Sequence, residues 1–325
     1  KRRMVERFVE ATRQIEGAWS LVALTNDMMI AARDPVGIRP LVLGRLGEAY
    51  VLASETCALD IVGAEFVREI ENGEVVVITS AGLESHRPYP RRAARPCIFE
   101  YIYFARPDSV IGGRSVYDVR QQMGVQLARE SPADADVIVP IPDSGVPAAI
   151  GYARESGLPF ELGIIRNHYV GRTFIEPEQR IRQLGVKLKH SANAGVIRGK
   201  RIVLIDDSVV RGTTSKKIVG LMYEAGSREV HMRISSPPIT HSDYYGIDTP
   251  SKAALLAANY DLEGMRAFMG ADSLAFLSVD GIYRAVGYEG RDPRAPQFTD
   301  HCFTGEYPTE LTDQNGLAGS TRQLS

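Results

Sequence analysis

The sequence predicts an α/β protein, a doubly wound parallel sheet preceded by a smaller antiparallel α+β layer. Three observations predict it. Beyond residue 97, short apolar runs alternate with stretches of helical period, the pattern of a parallel sheet with helices on its faces. Before residue 90, strand-like runs follow one another, separated by turn formers such as Asn26-Asp27 and Asn72-Gly73. Between them, His86–Pro96 holds three prolines and four arginines and reads as a linker. The expected domains are 1–90 and 97–290, followed by a C-terminal tail, 291–325. At roughly 100–200 residues per domain, 325 residues suit two.

Each element has its own warrant. Residues 4–16 read as an amphipathic helix with Met4, Phe8, Ala11 and Ile15 on one face. Trp19–Leu24, Met28–Ala32, Tyr50–Ala53 and Glu74–Thr79 read as strands. In the second part, Val116, Val119, Met123 and Leu127 mark a helical face. Asp136–Ile141 is a strand of buried type, and Ala148–Arg154 a short helix stopped near Gly157. Phe160–Ile165 and Arg201–Ile205 are further strands. Thr214–Ala225 is a helix with Ile218, Leu221, Met222 and Ala225 on one face, and Val230, Met232 and Ile234 alternate as a strand. From Gly290 the chain is polar and expected to be irregular.

Composition removes several classes of function. The chain is 44 % hydrophobic and 24 % charged, with net charge −2. A core is affordable, and the basic excess of a nucleic-acid-binding protein is absent. Three cysteines (Cys57, Cys97, Cys302) do not make a disulfide scaffold and fit a reducing, cytoplasmic setting. None forms a Cys-x-x-Cys pair, the six histidines are scattered, and no apolar run approaches the ~20 residues that span a bilayer.

Three segments carry chemistry. In Arg201–Ser215 an apolar strand ends in Asp206-Asp207, and Ser208, Arg211, Gly212, Thr213, Thr214 and Ser215 lead into a helix. Backbone N–H groups and hydroxyls at that helix N-terminus suit a phosphate monoester. The two carboxylates suit ribose hydroxyls or a Mg²⁺ ion. Helix capping alone is the competing explanation. In Val139–Ala149 a second strand ends in Asp143-Ser144-Gly145 between prolines, a loop able to cradle a diphosphate or simply to turn the chain. The third, Ile165–Ile175, mixes Arg166, Arg172, His168, Tyr169 and Gly171. It reads as a solvated charged surface or as a lid over a phosphorylated substrate.

Together these segments resemble the amidophosphoribosyltransferase family. The residues that carry the resemblance are Glu100–Ser109, Pro142–Ser144, Tyr169–Ile175 and Asp206–Thr214. Asp34–Leu41 and Ala53–Thr56 resemble the later part of that family's N-terminal glutaminase domain. The resemblance implies a type I phosphoribosyltransferase sheet preceded by a partial glutaminase domain of the N-terminal-nucleophile type. It implies that phosphoribosyl pyrophosphate (PRPP), glutamine and water give 5-phosphoribosylamine, glutamate and pyrophosphate, the first committed step of purine synthesis. Asp206, Asp207 and Arg172 match catalytic positions, and Ser144, Asp206 and Asp207 match those that hold Mg²⁺. Asp143, Ser144, Gly145, Arg166, Tyr169, Arg211, Gly212, Thr213, Thr214 and Ser215 match substrate-binding positions. His168 departs from the basic residue usual there.

The resemblance places Lys1 well inside the glutaminase domain, so the nucleophilic N-terminal cysteine is expected to be absent from this chain and the nitrogen source to be ammonia. Some members of the family carry a [4Fe–4S] cluster on four cysteines. Cys97 and Cys302 stand at two of those positions, Asp243 and Thr299 at the others, so no cluster is expected. Purine nucleotides as inhibitors and assembly into a homo-oligomer are further expectations; nucleic acid and membrane are not. A base-salvage phosphoribosyltransferase and a PRPP-sensing regulator are the alternatives.

Overall fold

The computed structural model describes residues 2–167, 190–247 and 249–312. Its first part is a helix, Arg2–Thr12, over two antiparallel sheets. One has the order β1-β2-β6-β7 (Ser20–Leu24, Met28–Arg33, Val75–Thr79, Gly82–His86). The other, β4-β3-β5, joins Ala49–Ala53, Val42–Leu46 and Glu65–Glu69. The two-residue period of β2 and β6 divides their side chains. Ile30, Ala32, Val75 and Val77 face the helix, while Ala31 and Val76 meet Leu41, Leu43 and Ile70. The helix buries Val9 and Thr12 and packs Val5 and Phe8. That face is rotated from the expected one: Met4, Ala11 and Ile15 are exposed.

The second part is built on a parallel sheet. After the short pair β8 (Val110–Ile111) and β9 (Arg114–Ser115) come β10 (Val137–Pro140), the antiparallel pair β11 (Ile164–Arg166) and β12 (His190–Ala192), then β13 (Arg201–Asp206), β14 (Glu229–Ile234) and β15 (Ser273–Phe276). The parallel order is β10-β13-β14-β15. Phe160–Ile165 is not one strand of this sheet. Phe160 alone bridges Ile138 in parallel, and Ile164 onward turns away to pair with β12. Gly163 marks the break, because a Cβ there would meet the Val139 and Ile197 side chains at 2.7–2.8 Å.

The Phe160 bridge lies beside β10, whereas β13 follows on its other side. Chain direction across the sheet therefore reverses between β10 and β13, and a crevice opens at the carboxyl ends of strands at such a point. Both faces are covered. Val203 and Ile205 pack with Val119, Met123, Leu127, Ala149 and Tyr152, while Ile202 and Leu204 pack with Ile218, Met222 and Met265. The helices Val116–Glu130 and Val146–Ser156 cross at backbone contact, where a Cβ on Gly124 would overlap the Ala148 carbonyl.

The two parts meet in a polar joint. Glu55 accepts from the Arg106 N–H and Ser109 hydroxyl, both at 2.8 Å, and Thr56 accepts from Val110 N–H. Arg95 and Cys97 N–H groups donate to Val36 and Ile38 carbonyls. Asp34 is fully buried and accepts from the backbone N–H groups of Val36, Gly37 and Ile38, which shapes the loop carrying Arg39. The polar stretch after Gly290 is not irregular throughout: Phe298 to Cys302 are buried and lead into a short helix, His301–Thr304. Among the described residues no helix is long and apolar enough to cross a membrane.

Candidate active site at the carboxyl end of the sheet

β13 is apolar from Ile202 to Ile205 because both its faces are covered, so polar side chains return only at its carboxyl end. These are Asp206 and Asp207. The Asp206 carbonyl is held by Ser235 N–H at 2.9 Å, which fixes the strand end. The Asp207 N–H donates to Asp206 Oδ1 at 3.0 Å, and Asp207 accepts from the Ser208 and Ser144 hydroxyls. Burial pushes both carboxyl pKa values up, and the neighbouring Asp207 charge raises that of Asp206 further. A half-buried and a buried acid side by side, with few donors, make a site that a cation relieves.

The neighbouring loop leaves β10 and stays tied to β13, since Ile141 N–H donates to Ile205 O at 2.8 Å. The peptide between Pro142 and Asp143 is cis. Gly145 is required by close approach, because a Cβ there would run into the Ile205 and Ile141 carbonyls. The loop thereby brings Ser144 to Asp207. Asp143 is exposed and ion-paired with Arg166, which extends from β11.

The third wall is the start of the helix Thr213–Glu224. Gly212 takes φ +70° and no side chain caps the helix, so its first N–H groups are left for an external acceptor. Thr213 and Thr214 are exposed there, Ser215 is buried, and Arg211 is exposed beside them. The fold therefore brings Asp143, Ser144, Gly145, Arg166, Asp206 and Asp207 to one crevice, with Arg211 and Gly212 on the loop that leaves it and Thr213 to Ser215 in the first turn of the helix. Tyr169 and Arg172, with His168, lie outside the described residues. Donor chemistry rather than concavity marks the site. A cleft of about 430 Å³ lies between the two parts instead, lined by Arg33, Glu69, Tyr101 and Arg114.

Comparisons with known proteins fit this geometry. The phosphoribosyl transferase domain family matches residues 121–235, and the glutamine amidotransferase domain family matches residues 2–60. The amidophosphoribosyltransferase of Rhizobium etli is 61 % identical over 317 residues, 96 % of this chain and 64 % of that protein. The solved Bacillus subtilis glutamine PRPP amidotransferase, complexed with ADP and GMP, matches with TM-score 0.88 at 48 % identity. That match covers 95 % of this chain and 68 % of that one. This chain belongs to the amidophosphoribosyltransferase family. A second solved structure, described as the allosteric regulatory enzyme of purine biosynthesis, matches with TM-score 0.89 at 47 % identity. The chain spans a little under two thirds of the R. etli relative's length.

Within this chain, one contributor to the site escapes a motif reading. Arg120 is 5 % exposed. It donates to the Tyr101 and Ala105 carbonyls at 2.7 and 2.8 Å, and its charge opposes that of Asp207. Those carbonyls belong to and follow a π-helical turn, Glu100–Phe104. The signal was available: Arg120 stands four residues after Val116, a cation on the apolar stripe of its helix. Nor are all the histidines scattered in space. His301, Asp243 and Cys302 lie together, fully buried.

Proposed function

We propose that this chain carries the phosphoribosyl-transfer half of the amidophosphoribosyltransferase reaction: PRPP and ammonia give 5-phosphoribosylamine and pyrophosphate. Residues 97–290 hold that site and residues 1–90 the glutaminase-like part. The observation that carries the reading is the Asp206–Asp207 pair at the strand end, with Ser144 turned onto Asp207 across the β10–β13 crevice.

In this reading Arg211, Gly212 and the hydroxyls of Thr213, Thr214 and Ser215 bind the 5′-phosphate at the uncapped helix start. The Asp143–Gly145 loop and Arg166 bind the pyrophosphate, Tyr169 is assigned to substrate binding and Arg172 to catalysis. Ser144, Asp206 and Asp207 offer the hard oxygen donors that suit Mg²⁺, and burial of two like charges favours a cation there. Bound Mg²⁺ supplies neutralisation of the leaving pyrophosphate. The protein's task is then to orient C1 of the ribose towards ammonia and to exclude water. The C1–O bond to pyrophosphate breaks, a C1–N bond forms, and the added nitrogen gives a proton to solvent. No side-chain nucleophile is needed.

Ammonia rather than glutamine is the nitrogen donor we assign to the 325-residue chain. Its three cysteines, Cys57, Cys97 and Cys302, are all buried, and desolvation raises each thiol pKa, so none is an accessible thiolate. Purine nucleotides as inhibitors and a homo-oligomeric assembly are part of the same reading. The test is pyrophosphate release from PRPP and Mg²⁺ with ammonium salts at raised pH, with glutamine, and with free purine and pyrimidine bases in turn. Turnover with ammonia alone is expected. Turnover with a base and none with ammonia would replace this reading by a salvage transferase.

A further inference from the structure

Apart from the Asp206–Asp207 site, three potential metal ligands lie close together among the described residues: Asp243, His301 and Cys302. The family's cluster positions, Cys97, Asp243, Thr299 and Cys302, lie in the same region. The carboxylate of Asp243 is already committed. Asp243 Oδ1 accepts from Tyr245 and Ile247 N–H groups, both at 2.7 Å. Its Oδ2 faces His301 Nε2 at 2.7 Å and the Cys302 thiol at 3.9 Å. Four donors fill a carboxylate's roughly four acceptor positions.

The other positions are equally unfit for a metal. Cys97 and Cys302 are both buried and supply only two thiols, where a [4Fe–4S] cluster is held by four thiolates. Thr299 spends its hydroxyl on the Arg95 carbonyl at 2.5 Å. The His301 ring is fixed between Tyr245 and Tyr307, with centroids at 5.0 and 4.8 Å, and its Nδ1 is buried without a partner. Two thiols, a saturated carboxylate and an occupied hydroxyl do not fit a [4Fe–4S] cluster.

We propose that Asp243, His301 and Cys302 form a metal-free anchor that positions the joint between the two parts of the chain. The route is short. Asp243 fixes the Tyr245 N–H, and the carbonyl of that residue accepts from Arg39 Nε at 2.8 Å. Arg39 stands on the loop shaped by Asp34. It pairs with Glu100 at 2.9 Å and lies over the Phe104 ring at 5.3 Å. Glu100 opens the π-helical turn whose Tyr101 carbonyl Arg120 grips beside Asp207. On the other side, the Cys302 carbonyl accepts from Thr240 and His241 N–H groups, which ties the C-terminal segment to the same loop.

The test begins with the unmodified 325-residue chain. Iron, acid-labile sulfide and zinc are assayed as purified, after anaerobic incubation with Fe²⁺ and sulfide, and after incubation with Zn²⁺ and desalting. No stoichiometric metal is expected in any sample. One zinc or iron per chain, lost in Cys302→Ser, would overturn the proposal. Asp243→Asn keeps the shape and the Oδ1 acceptor but turns an amide towards His301. It should lower Tm by about 3–10 °C. It should also speed tryptic cleavage at Arg91 and Arg92, as should Arg39→Met, which leaves the buried group intact. Unchanged cleavage in both variants would refute the link to the joint. If Asp243→Asn does not fold, the metal assays and Arg39→Met still decide.

Discussion

Replacing Asp206 and Asp207 together by Asn separates binding from stability. Asp206 receives one backbone donor at 3.0 Å, and both carboxyl pKa values are raised by burial. A raised carboxyl pKa means the folded state resists the charge. The pair therefore destabilises the ligand-free protein at pH 7, and the penalty fades as pH falls through the raised folded values. Removing both charges is expected to stabilise by about 1 kcal/mol, or about 2–4 °C in Tm. The wild-type protein gains instead from its ligand: Mg²⁺ and PRPP at about 100 times Kd add about 2.7 kcal/mol, or about 5–10 °C. Thermal unfolding in buffer, Mg²⁺, PRPP and both together should show the order reverse. The variant is the more stable without ligand and the less stable with it. A variant that melts lower without ligand, or that keeps the full PRPP shift, would refute the reasoning.

Three further changes probe other parts of the account. Glu74 is buried, bonded to Arg68 through both oxygens and to Ser85, and its pKa falls from 4.5 to about 2. At 1.36 kcal/mol per pH unit this bounds its contribution near 3 kcal/mol, and partial exposure of Arg68 reduces it to about 2 kcal/mol. That stability is present above about pH 4.5 and lost towards pH 2, so Glu74→Gln should differ from wild type at pH 7 and converge with it near pH 2 in urea unfolding. Gly145→Ala forces a methyl against the Ile205 carbonyl. It should cost about 1–3 kcal/mol by thermal unfolding and raise the KM for PRPP. Arg120→Met leaves the Tyr101 and Ala105 carbonyls unpaired, which should cost about 2–4 kcal/mol and weaken PRPP binding measured by calorimetry.

The parts of this fold that sequence foretells are those whose physics is local. Arg201–Asp206 reads as a strand because it is covered on both faces, and its terminal acids stand out because the apolar run Ile202–Ile205 leads straight into them. Gly145 and Gly212 sit at turns that their neighbours announce. What sequence does not foretell depends on partners far along the chain. β3 holds Gly44 beneath Leu59 and β5 is largely exposed, so neither shows a clean alternation. The first helix turned a different face inward because Trp19, Met28 and Val75 select Val5, Phe8 and Val9. Residues 298–302 look polar and loose, yet their polar groups find buried partners: Asp300 accepts from Tyr283 and Arg291, and His301 meets Asp243. The Glu55–Ser109 and Arg120–Tyr101 bonds likewise join segments that no periodicity relates.

The central claim is that this chain joins a nitrogen to C1 of PRPP. The direct measurement is NMR of PRPP labelled with ¹³C at C1, mixed with the 325-residue chain, Mg²⁺ and ¹⁵N-labelled ammonium at raised pH. The account predicts a new C1 resonance with one-bond coupling to ¹⁵N, appearing together with free pyrophosphate and absent from the Asp206→Asn/Asp207→Asn variant. Ribose 5-phosphate as the sole product with unlabelled oxygen at C1, or PRPP left intact although bound, would contradict it.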